Sequence, residues 1–346
     1  MTGDSHMPHS DTVSSSDSGV SQAIVLCGLT KTFGTTVAVR DLDLTVPTGA
    51  LYGVIGPNGA GKTTTIRMML SILMPDRGSL YVLGRASALD AKDRIGYLPE
   101  ERGLYKKMRV GAFLAYMAQL KGDNGLDLPR RIKGWLERVG LGDVERKRCE
   151  ELSKGMQQKV QFLAAVIHRP DLIILDEPFS GLDPVNQRLI RELVRDEHRR
   201  GATVLFSTHV MVHAEQLCDH VVMIHRGAKV LDDGIANIRA RFDPRSLLFE
   251  PLDPGADVNV LAALPGVAAL RRDGAGWELA LAREADPGAV IRAVASTLTP
   301  SRLEVRRPTL EDVFVSIVTA DGGDAETTAL RAAVRDASHA EGEVRT

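Results

Sequence analysis

The chain has 346 residues, 44% of them hydrophobic, and its 43 Lys and Arg against 45 Asp and Glu give a formal net charge of −2. This length exceeds what one hydrophobic core usually organises, so we expect two domains with tails. The charge balance argues against a polybasic surface for nucleic acid, although it is compatible with a local basic patch. No apolar run reaches the roughly 18–20 residues that cross a bilayer, so we expect no transmembrane segment.

The N-terminus and the cysteines bear on the compartment. The first residues lack the basic region and apolar stretch of a secretory signal. Cys27, Cys149 and Cys218 are odd in number and too far apart for a zinc-binding pair, so reduced thiols are expected. Together these features predict a soluble intracellular protein.

The N-terminal region divides into a polar tail and a strand-rich segment. Residues 1–22 contain seven serines, three aspartates and no Lys or Arg, which predicts a disordered tail. From residue 23 onward, short apolar runs between Gly, Pro and Asp predict strands at Ala23–Cys27, Leu42–Val46 and Leu51–Ile55.

The middle of the chain alternates between helical and strand patterns. Residues 105–168 show apolar residues at helical spacing, at Phe113, Leu114, Met117 and Leu120 and again at Ile132, Leu136 and Val139. Strands follow at Leu172–Leu175, Thr203–Phe206 and Val221–Ile224, separated by helical stretches. This alternation predicts an α/β domain over 23–242 with a mainly parallel sheet and a helical insertion at about 105–168.

The character changes again near Phe242. The predicted elements of 243–320 are a strand (246–250), a helix (about 256–263), a hairpin (Val267–Arg271 and Trp277–Leu281), a helix capped by Asp286 with Pro287 at its first position, a strand (Arg302–Arg306) and a last helix begun by Thr309 with Asp312 as capping partner. The order β-α-β-β-α-β favours a ferredoxin-like accessory α+β domain. Residues 321–346 are polar and rich in Gly and Ala, which predicts a flexible tail.

A glycine-rich loop lies between the strand Leu51–Ile55 and a predicted helix. It consists of Gly56, Pro57, Asn58, Gly59, Ala60, Gly61, Lys62, Thr63 and Thr64 and satisfies G-x-x-x-x-G-K-[ST]. The glycines allow close approach of the backbone, whose N–H groups cradle phosphate oxygens together with the helix start. Lys62 is expected to reach the β- and γ-phosphates, and Thr63 to ligate Mg²⁺.

Two carboxylates, Asp176 and Glu177, end the apolar strand at Leu172–Leu175. Parallel strands present their carboxyl ends at the ligand crevice, beside the phosphate loop. Asp176 is therefore expected to hold Mg²⁺ through water, and Glu177 to orient and polarise the attacking water. Such a pair without a phosphate loop is more often a solvated loop.

His209 follows the strand Thr203–Ser207, so it also falls at this edge of the sheet. Its ring could bridge Glu177, or the water, to the γ-phosphate. The alternative is a metal site in which His209 and His213 are joined by Cys218 or His220. Zinc needs at least three well-placed ligands, and helical spacing supplies only two here, so the first role is favoured.

Ser153 opens a helix that runs to about His168. It is a good N-cap residue, which by itself explains its presence. The functional alternative is an uncapped helix start with Gly155 for close approach, forming a second anion site. One chain has no second nucleotide for that site, whereas a dimer does.

These residues resemble the nucleotide-binding subunits of ABC transporters. The resemblance covers about residues 23–242, and five motifs occur in the order of that family: 56–63, Gly96–Glu100, Leu152–Met156, Leu172–Glu177 with Ser180–Asp183, and His209. It implies a P-loop NTPase cassette with an antiparallel β subdomain and an α-helical subdomain beside the parallel sheet.

The resemblance also implies roles for single residues. Phe33 matches the aromatic residue that stacks on adenine in this family. The alternative is that Phe33 is an ordinary residue of the hydrophobic core. The signature loop that binds the partner's nucleotide would be Ser153, Lys154, Gly155 and Met156, and the D-loop would be Ser180, Gly181, Leu182 and Asp183. Lys154 and Met156 replace the family's usual Gly and Gln. Glu100 replaces a Gln near Mg²⁺, which keeps an oxygen ligand but loses the amide donor.

The function implied is that of an ATP-hydrolysing subunit of a bacterial ABC exporter. It would use ATP and Mg²⁺ as a homodimer, or paired with a related ATPase, on the cytoplasmic face of the membrane beneath a separate permease, with no nucleic acid partner. Leu98–Leu104 with Leu152–Met156 resembles the sodium-extrusion (Nat-type) subgroup, and Pro308–Phe314 the end of its C-terminal domain; related ATPases serve drug export. The alternative is a soluble non-transport ABC ATPase of ribosomes, DNA or protein assembly. A further reading makes the C-terminal domain a small-molecule sensor.

Overall fold

The computed structural model describes residues 21–101, 103–242 and 245–321. Most of the predicted tails, 1–20 and 322–346, lie outside the described residues. The first strand starts at Gln22, one residue before the predicted Ala23. None of the described helices is long and apolar enough to cross a membrane.

The described residues form thirteen strands and nine α-helices. The strands are β1 (Gln22–Phe33), β2 (Thr36–Pro47), β3 (Leu51–Ile55), β4 (Arg77–Val82), β5 (Ile95–Leu98), β6 (Leu172–Asp176), β7 (Thr203–Thr208), β8 (His220–His225), β9 (Ala228–Gly234), β10 (Ser246–Pro251), β11 (Val267–Asp273), β12 (Gly276–Leu281) and β13 (Pro300–Arg306). The α-helices are α1 (Lys62–Met69), α2 (Val110–Leu120), α3 (Leu128–Arg138), α4 (Lys154–Val166), α5 (Pro184–Arg199), α6 (Met211–Leu217), α7 (Ile235–Arg241), α8 (Pro287–Thr297) and α9 (Leu310–Asp321). Three 3₁₀-helices span Ala88–Arg94, Cys149–Glu151 and Val258–Ala263.

The central sheet has the strand order β5-β6-β7-β3-β8-β9 and is parallel except for the antiparallel pair β8–β9. Strands β3, β6 and β7 are buried along their whole length, as expected for a sheet covered on both faces. The register pairs Ile55 with Thr208 and Asp176 with Ser207. The ends of these three strands therefore lie side by side at one edge.

A second, antiparallel sheet has the order β2-β1-β4. Its buried side chains share one apolar cluster with α1 and one face of the central sheet. The parallel sheet, the antiparallel sheet and the helices α2, α3 and α4 confirm the predicted cassette architecture.

The C-terminal sheet has the order β11-β12-β10-β13 and is antiparallel throughout, which is the ferredoxin-like arrangement. Asp286 caps α8 by accepting hydrogen bonds from two backbone N–H groups, at 3.1 and 3.0 Å. Thr309 and Asp312 form the expected capping box at the start of α9. The helix predicted at about 256–263 is instead the 3₁₀-helix Val258–Ala263, so that prediction of a regular α-helix was wrong.

Helix α9 was predicted as the end of the accessory domain, but its apolar face packs elsewhere. Leu310, Val313 and Phe314 are at most 2% exposed and belong to the core cluster built by α2, α4 and the central sheet. The C-terminal sheet has a separate core. Packing therefore joins α9 to the core of the described residues before 243 rather than to the C-terminal sheet.

Candidate active site

The phosphate loop connects β3 to α1 and depends on close backbone contacts. At Gly61 φ is 106°, and a Cβ there would lie 2.4 Å from the carbonyl oxygen of Ala38. A Cβ at Gly56 would lie 2.1 Å from the oxygen of Ile224. The turn after β8 adds a hydrogen bond from Gly227 N–H to the oxygen of Ala60, at 2.9 Å. The loop is thus held from several sides and tolerates no side chain at either glycine.

Lys62, the first residue of α1, is only 6% exposed. Its Nζ donates to the carbonyl oxygens of Gly56 at 2.8 Å and Pro57 at 3.1 Å and lies 3.7 Å from Oε1 of Glu177. Burial lowers the pKa of Lys62, and the nearby carboxylates oppose this shift. The ammonium is therefore positioned inside the loop, close to where a phosphate would be cradled.

Asp176 is completely buried at the end of β6. Its Oδ1 accepts hydrogen bonds from Ser207 Oγ and, at 3.3 Å, from Thr63 Oγ1, whereas its Oδ2 has no partner among the described residues. Burial raises the pKa of Asp176. A buried carboxylate oxygen without a partner, beside a threonine hydroxyl, is the donor set that Mg²⁺ prefers, so these residues fit the ion. Ser207 was not predicted, because a serine within a strand carries no motif.

Glu177 has φ of 48°, a left-handed conformation that costs a non-glycine residue about 1–3 kcal/mol. Its N–H donates to the oxygen of Ser207 at 3.2 Å, and its Oε1 lies 2.9 Å from Nδ1 of His209. The side chain is 6% exposed. The surrounding bonds hold the strained residue so that its carboxylate meets both Lys62 and His209.

The alternative metal site of the histidines does not assemble. The ring of His213 packs against Phe179 at 4.7 Å between centroids. His220 stacks on Tyr52 at 4.6 Å and bonds to Asp232 at 3.1 Å. Within the described ranges, no group of three His, Cys, Asp or Glu side chains has the geometry to hold a metal ion. His209 instead contacts Glu177 at 2.9 Å, and its bridging role toward the γ-phosphate stays a prediction.

A cavity of about 320 Å³ lies between the phosphate loop and Glu177. It is lined by Ala38, Asn58, Gly59, Gly61, Lys62, Thr63, Thr64, Glu100 and Glu177. Burial, followed by the charges of Asp176 and Glu177, raises the pKa of Glu100. Glu100 thus belongs to the same acidic cluster as the two strand-end carboxylates. Ala38 was not predicted, because its contribution comes from its backbone.

The remaining predicted residues lie outside this cavity lining. Phe33 is 50% exposed, so it is not a core residue, and Lys31 Nζ lies 5.6 Å from its ring centroid. Ser180 and Gly181 are exposed. Leu182 is buried, and Asp183 caps α5 by accepting from two N–H groups at 3.0 Å.

The signature loop, Ser153–Met156, also lies outside that lining. Ser153 Oγ accepts from the N–H of Met156 at 3.3 Å, so the helix start expected to be uncapped has a cap. Ser153 and Lys154 are exposed. A Cβ on Gly155 would meet nothing closer than Asn186 Nδ2 at 3.5 Å. Contacts within the chain therefore do not require a glycine at this position.

Comparison with known proteins identifies the family. Residues 39–180 match the family described as ABC transporter, and residues 234–318 match that described as ATP-binding protein DrrA1-3-like, C-terminal domain. The chain is 40% identical over 290 residues to the ABC transporter ATP-binding protein YhaQ of Bacillus subtilis. The match covers 84% of this chain and 96% of YhaQ.

Two further relatives represent the subgroups named above. The ABC transporter ATP-binding protein NatA of Bacillus subtilis is 42% identical over 194 residues, covering 55% of this chain and 79% of NatA. The daunorubicin/doxorubicin resistance ATP-binding protein DrrA of Streptomyces peucetius is 32% identical over 318 residues. The match covers 88% of this chain and 95% of DrrA. The chain belongs to the family of ABC transporter ATP-binding proteins, which hydrolyse ATP to power transport.

Proposed function

We propose that two copies of this subunit bind two ATP molecules between them and use their hydrolysis to drive export through a separate permease. The observation that supports this most is the division of the site. The phosphate loop lines one cavity with Glu100 and Glu177, whereas Ser153–Met156 lies outside that lining and is largely exposed. A partner chain would bring the second group to the first.

Within one copy, backbone N–H groups of the loop and the ammonium of Lys62 would bind the β- and γ-phosphates. Thr63, Asp176 and Glu100 would hold Mg²⁺, partly through water; when bound, the ion neutralises phosphate charge. Glu177 would accept a proton from a water molecule while the oxygen of that water attacks the γ-phosphorus. The bond between the γ-phosphorus and the β–γ bridging oxygen then breaks, and ADP and phosphate leave. His209 would orient Glu177 through the contact at 2.9 Å.

The second half of the site would come from the start of α4 in the partner. The helix N-terminus carries partial positive charge, and an exposed serine hydroxyl can donate to a phosphate oxygen. Gly155 would allow that phosphate to approach the backbone. In this arrangement ATP closes the dimer, and hydrolysis lets it open.

The decisive experiment separates the two halves by complementation. Ser153→Arg should leave ATP binding to a single chain unchanged and abolish hydrolysis, and Lys62→Ala should also abolish hydrolysis. A mixture of the two variants can form one intact composite site per mixed dimer, so activity should partly return. Gly134→Arg is the matched control, because Gly134 is exposed on α3 and a Cβ there would have no atom within 4 Å. Full activity of purified Ser153→Arg would rule out the composite site.

The transport role and its location are part of the proposal. A peripheral subunit on the cytoplasmic face requires a membrane partner, and the match of residues 234–318 to a DrrA-type domain supports export rather than a ribosomal or DNA-directed ATPase. Both sodium ions and drugs are compatible with this subunit as cargo, because the residues that contact the cargo would lie in the permease. Co-purification with a membrane protein encoded beside it tests this part; failure to associate would favour the soluble ATPase.

A further inference from the structure

The hydroxyl of Ser207 lies between the two residues that end β6. Ser207 is fully buried near the end of β7 and is the register partner of Asp176. Its Oγ is hydrogen-bonded to Oδ1 of Asp176 and lies 3.2 Å from the backbone nitrogen of Glu177. Ser207 is not part of the lining of the cavity beside the phosphate loop. It can therefore act on a ligand in that cavity only through its two neighbours.

The direction of both hydrogen bonds follows from the groups involved. A serine hydroxyl carries one proton and two acceptor positions. The N–H of Glu177 can only donate, so Ser207 Oγ accepts there, and its own proton is left for the carboxylate of Asp176. A hydrogen bond from a hydroxyl to a carboxylate is charge-assisted and hence strong. One hydroxyl thus joins the side chain of Asp176 to the backbone of Glu177.

The two oxygens of the Asp176 carboxylate have different surroundings. Oδ1 accepts from Ser207 and, at 3.3 Å, from Thr63, whereas Oδ2 is buried without a partner among the described residues. Thr63 lines the cavity and is itself expected to contact Mg²⁺. Ser207 is therefore the contact that would hold Oδ1 whether or not the ion is bound, and it leaves Oδ2 available to the ion or its water.

The end of β7 also holds Glu177 at two points. Ser207 accepts from its backbone N–H through Oγ and through the carbonyl oxygen, both at 3.2 Å, and His209 contacts its Oε1 at 2.9 Å. Glu177 has φ of 48°, and a strained residue persists only where its surroundings over-determine it. Ser207 thus secures the backbone of Glu177, while His209 secures its carboxylate.

We propose that Ser207 is a positioning residue of the nucleotide site, whose hydroxyl fixes Asp176 and Glu177 relative to each other. The proposal rests on the proposed function, in which Asp176 holds Mg²⁺ and Glu177 accepts the proton of the attacking water. Hydrogen-bonding partners of metal-binding carboxylates typically contribute about 10–100-fold to metal affinity or activity. Ser207 would therefore influence both the affinity for the ion and the rate of hydrolysis without touching ATP.

Titration calorimetry of the full chain with adenylyl imidodiphosphate, an ATP analogue that resists hydrolysis, tests this by binding. The affinity is measured once with Mg²⁺ and once with EDTA, and the ratio of the two gives the contribution of the ion. Ser207→Ala should lower this ratio about tenfold. Its affinity in EDTA should equal that of the parent, because Lys62 and the loop backbone are unchanged. Ser207→Cys keeps a weaker donor at this position and should lose less than Ser207→Ala.

Thr203→Val is the matched control. Thr203 lies at the other end of β7, and its hydroxyl is also buried and accepts a backbone N–H, that of Gly49, at 2.8 Å. Valine removes this hydroxyl while keeping the shape of the side chain. Both Thr203→Val and Ser207→Ala should lower the melting temperature, because each leaves a buried N–H without one acceptor. Only Ser207→Ala should change the Mg²⁺ contribution and lower kcat.

Three results would overturn the role of Ser207. They are a parental Mg²⁺ contribution in Ser207→Ala, an equal loss of its affinity in Mg²⁺ and in EDTA, and an equal fall of the Mg²⁺ contribution in Thr203→Val. The second would mean that the hydroxyl only supports the fold of the site, and the third that β7 is generally loosened. A parent protein that binds the analogue equally with and without Mg²⁺ would contradict the magnesium role within the proposed function, and this inference with it.

Discussion

The two halves of the proposed nucleotide site differ in how the chain itself specifies them. The phosphate-loop half consists of Gly56–Thr63 with Asp176 and Glu177. Its charged side chains, Lys62, Asp176 and Glu177, are buried. Glu177 contacts Lys62 and His209 and is held in a strained conformation. In the signature half, Ser153–Met156, most side chains are exposed and the glycine has room for a side chain. Contacts within the chain account for the first half, whereas in the second they account for the helix cap at Ser153 but not for the glycine at 155.

This difference separates what folding determines from what assembly determines. A strained glutamate persists only where neighbouring bonds over-determine it, so the chemistry of the phosphate-loop half is preorganised before a partner arrives. The signature half contributes a helix start and a hydroxyl, which act only on a ligand brought by another chain. Substitutions in the first half should therefore change binding or chemistry in a single chain, and substitutions in the second should act only through the dimer.

Glu177→Gln should have the largest effect on chemistry. The amide keeps the size of the carboxylate but not its basicity, so the proton acceptor is lost while Lys62 and Thr63 remain. General-base assistance contributes about 10²–10⁴-fold, and kcat should fall by that factor with little change in ATP affinity. With hydrolysis blocked, light scattering after size exclusion should detect a dimer with ATP and a monomer without nucleotide.

The control for this variant is Glu192→Gln, an exposed carboxylate of α5, which should keep the parental rate. If Glu177→Gln retains most of its ATPase activity, Glu177 is not the base. A variant that binds ATP yet never dimerises, even with its permease, would contradict the closed dimer.

Phe314→Ala tests whether the phosphate-loop half depends on α9. Phe314 is fully buried, and its ring meets that of His225 at 5.6 Å, just before the turn whose Gly227 bonds to the phosphate loop. Removing a buried Phe side chain costs about 3–5 kcal/mol. The melting transition that ATP stabilises should therefore shift downward.

Phe249→Ala is the matched control, because Phe249 is equally buried but in the core of the C-terminal sheet. It should destabilise that sheet and leave the ATP-dependent transition near its parental temperature. Equal shifts of the ATP-dependent transition in both variants would mean that the two cores unfold together, and α9 would then have no special relation to the nucleotide site.

The parts predictable from sequence are those that local chemistry determines. The loop between β3 and α1 is recognisable because glycine spacing and a lysine suffice to define it, and Asp176 is recognisable from the apolar strand before it. Ser207 and Ala38 reach the site only because the folded strands place them there. Ser207 contributes a hydroxyl and Ala38 its backbone, and neither contribution leaves a sequence pattern. The apolar face of α9 is visible from sequence, but which core receives it is decided by packing.

Lys62→Ala tests the phosphate-loop half through its affinity for ATP, without a measurement of hydrolysis. A charge-assisted hydrogen bond contributes about 1.5–3 kcal/mol, so ATP affinity should fall roughly ten- to hundredfold. Isothermal titration with the isolated chain and ATP-Mg measures it. Arg67→Ala removes an exposed cation from the same helix and should leave the affinity unchanged. Unchanged affinity in Lys62→Ala would contradict the phosphate-loop assignment.

Phe33→Leu should have the smallest effect and decides to which half the adenine contact belongs. Phe33 is half exposed at the end of β1, so it resembles the signature half in exposure but lies on the same chain as the phosphate loop. Leucine keeps apolar area but removes the aromatic face, and aromatic stacking on a base contributes about 1–3 kcal/mol when removed entirely. We expect the affinity of the isolated chain for ATP to fall about fivefold, at the low end of that range. Tripolyphosphate, which lacks the base, should bind both proteins equally, because its contacts are confined to the phosphate loop. A loss for both ligands would mean that the substitution disturbs the loop. Unchanged ATP binding in the isolated chain, with a loss only in the dimer, would move Phe33 to the half that assembly completes.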